Sequence, residues 1–256
     1  MQKKSLPIVA LLLSIIWCSS SLADMRPRLK NRVGIPPFQV LKEILNTNYT
    51  DTKTAAHFGR DDAPLLTWLV DADPRIYSRL ITSSENIYEI HNLGNQLSSS
   101  LATVDYGIRH LHTPLLLITG NGDSEAIRLF SEGYDDLEQS IRLALDHLHI
   151  PLAHEAAVIV KKETKQDKEM RLVEANVDYQ VALASKRYSQ RIKAGRLVVV
   201  GSILDLNNHY GTGKNRLRII NVNGEKDEAK LKKNRLFRQL APKMLKMVGR
   251  EKKNTF

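Results

Sequence analysis

The sequence predicts an α/β fold, a mostly parallel central sheet flanked by helices, and three observations carry that prediction. Short aliphatic runs at 65–70, 115–119 and 197–200 have the length and composition of strands buried on both faces. Segments with helical apolar spacing separate them, long enough for right-handed crossovers between parallel neighbours. Two of the runs break directly into polar residues, "LVDADPR" (69–75) and "LITGNGDSEA" (117–126). Open parallel sheets keep their ligands at such carboxyl ends.

At the amino terminus, Lys3 and Lys4 precede an apolar core from Ile8 to Trp17, and Ser21-Leu22-Ala23 offers small residues to a signal peptidase. Residues 1–23 therefore read as a cleaved signal peptide and the protein as exported, periplasmic or secreted. The apolar run is too short for a membrane span. The only cysteine, Cys18, lies inside this leader, and Trp17 before it is a poor fit to a lipoprotein signal. The mature chain accordingly offers no disulfide and no thiolate for metal or nucleophilic chemistry.

Residues 24–59 read as an N-terminal helical arm, broken by Pro27, Pro36 and Pro37, with a helix around Phe38–Leu45. One domain then runs over 60–224. Its first strand, Leu65–Val70, is followed by a short strand at Ile87–Ile90 and a turn-like "HNLGN" (91–95). Ser98–Ser100 stand where they can cap a helix carrying Leu101, Val104, Ile108 and Leu111, stopped by Pro114. The strand at 115–119 leads through Gly120-Asn121-Gly122 to a helix opened by Asp123 and Ser124. Asp135 and Asp136 start a further helix with Leu137, Ile141, Leu145 and Leu148 on one stripe. His147 and His149 fall in its last turn, suited to the helix dipole, and Pro151 ends it. Residues 153–194 read as helical throughout, with Val173, Val177, Val181, Ala184, Tyr188 and Ile192 in step and Gly195 as the stop. Leu197–Val200 is the next buried strand, and Arg216–Val222 alternates as an edge strand does.

The net charge is +10, or +8 once Lys3 and Lys4 leave with the leader. Much of it sits in a basic C-terminal helical tail, 225–256, where eleven Lys or Arg face four Asp or Glu. Leu236, Leu240, Met244 and Val248 recur every fourth residue there, interrupted by Pro242. Packing on the chain's own domain is the first reading of this stripe. Contact with an anionic membrane surface or an acidic partner is the second. No nucleic-acid partner is expected.

Four segments, "LVDADPR" (69–75), "HNLGN" (91–95), "LITGNGDSEA" (117–126) and "EANVDYQV" (174–181), resemble in order and spacing the beta-class carbonic anhydrases. "VVVGSILDLNNHYGTG" (198–213) fills the family's last slot, so the resemblance covers roughly residues 60–223. It implies that family's sheet, a zinc-dependent interconversion of CO2 and bicarbonate, and a homodimer. Carried over residue by residue, the first cysteine ligand falls on Asp71, the histidine ligand on Asn121 and the second cysteine ligand on Ser124. The family's Asp-Arg pair, which orients and gates the nucleophile, is kept as Asp73 and Arg75, with Pro74 in place of the serine between them. Asp123 stands where the family often has an acid, His91 where it usually has arginine, and Glu125 where it has glycine.

These replacements change the chemistry. Zinc favours thiolate and imidazole donors and lowers the pKa of its bound water to about 7. The amide oxygen of Asn121 and the hydroxyl of Ser124 are poor donors, which leaves Asp71 alone. That set is half of a magnesium or calcium site rather than a zinc site. The expectation is a chain with no metal cofactor and no conventional zinc mechanism. In its place stands a small polar pocket, where Asp71, Asn121, Asp123, Ser124 and His91 meet a small anion, a polar ligand or a protein partner. Two rival readings stay open: a lyase working through Asp73 and Arg75 with a non-standard metal or none, and an anionic-surface-binding protein acting through its tail. Simpler roles exist for the same residues, Ser124 as a helix cap and the acids beside Arg75 as a salt bridge. A hydrolytic Ser124 would need a base, and His91 is the histidine these motifs supply. "GTGK" (211–214) lacks the spacing of a P-loop, and "HEAA" (154–157) lacks a metalloprotease helix's second histidine.

Overall fold

Among the described residues the aliphatic runs form β1 (Leu66–Asp71), β2 (Ile87–Asn92), β3 (Leu115–Asn121), β4 (Val198–Asp205) and β5 (Arg216–Val222). The computed structural model describes residues 36–50, 64–77, 87–158, 160, 163–238 and 240–250. They belong to one contact unit, Ile35–Phe256, and the strands make a single sheet in the order β2-β1-β3-β4-β5. β1 pairs in parallel with β2 and β3, β3 in parallel with β4, and β5 runs antiparallel to β4. The expected leader with Cys18, the expected arm at 24–35 and 51–59, and the tail at 251–256 lie outside the described residues. No helix among the described residues is long and apolar enough to cross a membrane.

Alternation along the strands divides the core in two. Leu66, Trp68, Val70, Leu115, Leu117, Val198 and Val200 face one layer. Leu69, Leu116, Ile118, Val199 and Ile203 face the other. The first layer is covered by α1 (Pro37–Thr50), through Val40, Leu41, Ile44 and Leu45, and by the C-terminal segment through Leu231, Phe237, Met247 and Val248. On this side the polar atoms of the strands satisfy one another: Trp68 Nε1 donates to Thr119 Oγ1 at 2.8 Å, and Thr119 and Ser202 share a 2.8 Å hydroxyl bond. The second layer is covered by α2 (Leu101–Asp105), α3 (Glu125–Glu132), α4 (Gln139–Asp146), α5 (His149–Ala157) and α6 (Lys165–Arg187). The Val173, Val177, Val181 and Ala184 stripe of α6 lies close over β3 and β4. Gly120 and Gly201 permit that approach, since a Cβ on either would sit 2.7–2.9 Å from a valine methyl of α6.

Several elements differ from the sequence expectation, each for a local reason. α1 runs well beyond Leu45, and β3 continues to Asn121. Ser98–Ser100 form a 3-10 turn rather than a cap, and Ser100 Oγ is taken by Asn92 Nδ2 at 2.8 Å. α2 then widens into a π-helical turn, Tyr106–His110. The 135–150 stripe splits, because Pro151 lies in the first turn of α5, where a missing N–H leaves no bond unmade. His149 thereby opens a helix instead of closing one and meets the Tyr134 hydroxyl at 2.8 Å. The long helix expected at 153–194 breaks where Thr164 and Asp167 form a capping box that starts α6. It breaks again at Tyr188, before α7 (Ser189–Lys193).

The tail is not one helix. α8 (Glu228–Lys233) is followed by 3-10 turns at Arg235–Phe237 and Met244–Met247, with Pro242 between them. Leu240, Met244 and Val248 are buried all the same. Val248 forms a parallel bridge with Ile219, and Gly249 N–H donates to the Ile219 carbonyl at 2.9 Å. β5 is therefore covered, and six of its seven residues are buried, unlike the half-solvated strand its alternation suggests.

Candidate functional site

Parallel pairing brings the carboxyl ends of β1 and β3 side by side, with Asp71 and Asn121 as their last residues. The chain leaves β3 through a turn and enters α3 at Ser124, whose hydroxyl caps the helix by accepting from the Ile127 N–H at 3.3 Å. The same hydroxyl donates to Asp71 Oδ2. Asp71 Oδ1 accepts from the Gly94 N–H at 2.7 Å. Both carboxylate oxygens of this residue, only 2 % exposed, are thus engaged. Burial pushes the Asp71 carboxyl up from its ordinary pKa, against the opposing pull of the Ser124 and Gly94 bonds.

A second cluster lies beside the first. Asn121 Nδ2 donates to Asp73 Oδ2 at 2.6 Å and to the Asp123 carbonyl at 3.1 Å, while Asn121 Oδ1 accepts from the Asp123 N–H at 3.0 Å. Arg75 holds Asp73 through Nε and Nη2 at 2.6–3.1 Å and reaches Asp123 Oδ2 through Nη1 at 2.7 Å. The guanidinium bonds keep the Asp73 carboxyl below the usual carboxylate range. Asp73 is the inner member, 8 % exposed, whereas Arg75 and Asp123 present 51 % and 44 % of their side chains to solvent.

Asp71, Asp73, Arg75, Asn121, Asp123 and Ser124 are thus brought together at one end of the sheet. His91 is not among them. It pairs in register with Val70, so it projects from the face opposite Asp71. Its partners are Glu89 at 3.3 Å and the edge of the Trp68 ring.

The donors do not fit zinc. The positions that would carry two thiolates and an imidazole hold a buried carboxyl, a hydroxyl already donating to that carboxyl, and an amide committed to Asp73 and to its own turn. Among the described residues no group of three or more His, Cys, Asp or Glu is placed to hold a metal ion.

The segment 174–181, singled out in the sequence for its resemblance alone, supplies the residues that hold the site in place. Asn176 Nδ2 donates to the Gly94 carbonyl at 2.7 Å, Gln180 Nε2 to Asn176 Oδ1 at 2.9 Å, and the Leu97 N–H to Gln180 Oε1 at 2.9 Å. This chain fixes the loop whose Gly94 N–H meets Asp71. Its signal was two amides one helical turn apart on a stripe that is otherwise apolar. Burying them requires specific partners. The late turn is held similarly, with Asp205 accepting from the His209 and Tyr210 N–H groups at 2.8 and 2.9 Å and Tyr210 donating to Glu174.

Comparison with known proteins agrees with this geometry. The family model described as carbonic anhydrase matches residues 66–212. Among solved structures, a beta-carbonic anhydrase from Coccomyxa in complex with acetazolamide superposes with a TM-score of 0.52 at 15 % identity, covering 90 % of this chain and 92 % of that one. Tetrameric beta-carbonic anhydrases from the filamentous ascomycete Sordaria macrospora superpose at 0.51 with 14 % identity, covering 83 % and 95 %. A search of curated proteins gives no match. With more than half of the chain inside the family model and the same fold in those enzymes, the protein belongs to the beta-carbonic anhydrase family.

Proposed function

We propose that this chain is an exported member of the family that has given up zinc-dependent CO2 hydration and uses the strand ends for binding. The observation that carries the reading is the hydrogen bond from Ser124 to Asp71. Two of the three positions that would ligate zinc satisfy each other, and the third, Asn121, is spent on Asp73. A metal entering here would have to break these bonds and take up a carboxylate whose charged form burial disfavours. No cofactor belongs to the proposed function.

Arg75 and Asp123 support the binding role. They offer one cationic fork and one carboxylate at the solvent edge, held from behind by Asp73 and Asn121. A small polar ligand or an acidic group of a protein partner suits that edge. The resemblance to tetrameric relatives supports a homodimer or larger assembly, which light scattering on the purified chain measures. Lys3, Lys4 and the apolar core before Ala23 support export. N-terminal sequencing of secreted material beginning at Asp24 is the expected result.

The intact Asp73–Arg75 pair favours the second reading, a lyase that works without the family's ligand set. One assay decides between the two. Stopped-flow CO2 hydration by the mature protein, supplied with zinc, should stay at the uncatalysed rate. A kcat above about 10 per second contradicts the proposal.

A further inference from the structure

At the amino-terminal end of the sheet, opposite the site described above, two arginines share a single carboxylate and two further arginines follow them in the chain. Asp105, at the end of α2, accepts from Arg109 Nε at 3.1 Å, from Arg187 Nε at 3.0 Å and from the Tyr188 hydroxyl at 2.9 Å. Both guanidinium groups also lie over the Tyr188 ring, 5.5 and 5.9 Å from its centre. One carboxylate therefore serves two arginines. Arg191 lies in α7, just past the break at Tyr188, and its Nη2 lies 3.5 Å from His112 Nδ1. Its Nε is buried and has no hydrogen-bond partner. Arg196, which follows Gly195 in its left-handed conformation, is tied to Arg191 by its N–H, which donates to the Arg191 carbonyl at 2.9 Å.

Cations near a helix C-terminus ordinarily serve its dipole from solvent. A guanidinium with a buried, unpartnered N–H and other guanidinium groups beside it does more than that. Burial and the charges of Arg196 and Arg109 make the Arg191 proton easier to lose than in an ordinary arginine. Such crowding is relieved by an anion, and a planar fork beside further positive groups matches a tetrahedral oxyanion. We propose that Arg191, with Arg196 and Arg109 around it, forms a binding site for an oxyanion of the phosphate class, separate from the remnant metal site and independent of its function. The loops that carry these residues lead into β3 and β4, whose first residues, Leu115 and Val198, pair directly.

The test uses the full mature chain, with inorganic phosphate as the probe and sodium chloride at equal ionic strength as the reference. Phosphate should raise the melting temperature saturably and beyond the chloride effect, and calorimetry should return a dissociation constant. Arg191→Gln should weaken that constant at least about tenfold, as expected for loss of a charge-assisted bond. Lys193→Gln, an exposed cation on the same helix, should leave it unchanged. Should Arg191→Gln fail to fold, Arg196→Gln reads the same loss from a solvent-exposed position. Equal shifts from phosphate and chloride, or arginine variants that keep wild-type affinity, overturn the proposal. Vesicles of phosphatidylcholine doped with phosphatidic acid identify the source: binding displaced by phosphate assigns a lipid headgroup, and phosphate binding without vesicle binding assigns a free anion.

Discussion

Replacing Ser124 by alanine removes two bonds from one hydroxyl, the cap accepted from Ile127 and the bond donated to Asp71. Loss of an N-cap costs about 0.5–2 kcal/mol. Loss of a hydrogen bond to an ionised partner costs about 1.5–3 kcal/mol. Asp71 is too deeply buried for water to restore that bond fully, so the two losses combine to roughly 2–5 kcal/mol where Asp71 is ionised and to less where it is neutral. The loss also depends on pH, with a definite sign. The folded Asp71 carboxyl titrates above its ordinary 3.8, and the Ser124 bond restrains that rise. In both proteins the stability contributed by a neutral Asp71 is fully present below 3.8 and declines as pH rises through the folded value. Without Ser124 the folded value is higher, so the variant goes on losing stability after the parent has levelled off. The difference between them should be near the cap and neutral-bond cost, roughly 1–3 kcal/mol, at the acid end and should widen toward neutrality. Urea denaturation of both proteins over a series of pH values reads this directly. A difference that stays below about 0.5 kcal/mol, or that is constant across the series, refutes the assignment of a buried Ser124–Asp71 bond.

Other perturbations report on the frame around the site. Gly201→Ala places a methyl 2.8 Å from Val181 Cγ2 and 2.9 Å from Val177 Cγ1, and should destabilise by about 1–3 kcal/mol in urea unfolding through overpacking. A midpoint equal to the parent's would mean that α6 does not lie so close to β4. Deleting residues 225–256 strips Leu231, Phe237, Met247 and Val248 from the first core layer and should leave an aggregating or unfolded product in size-exclusion chromatography and circular dichroism. A soluble, cooperatively melting truncation would return the tail to the role of a detachable surface element.

The central strands and their burial were legible because aliphatic runs of strand length have few other homes. The polar strand ends were legible because Asp71, Asp73, Asn121 and Ser124 interrupt those runs at the ligand-bearing edge. Local punctuation misled where one residue has two uses. Pro151 ends a helix in one context and opens one in another, and only the packing of Leu148 and Leu152 in the core selects the second. The tail's four-residue apolar spacing suited a helix. Pro242 and the bridge of Val248 to Ile219 instead turn the same residues inward through short 3-10 turns. His91 lay in the right motif but on the wrong face, since a strand reverses its side with each residue. The Asn176–Gln180 pair had no visible role until the loop it supports was placed above β1.

The closure of the zinc-ligand positions is tested most directly by zinc itself. Mature protein equilibrated with zinc, passed over a chelating column and analysed by inductively coupled plasma mass spectrometry should retain far less than one ion per chain. The Asp71→Cys, Asn121→His, Ser124→Cys triple variant, treated identically, should retain about one, because thiolate and imidazole are restored to positions the fold already brings together. Zinc held tightly and stoichiometrically by the unaltered protein contradicts the account.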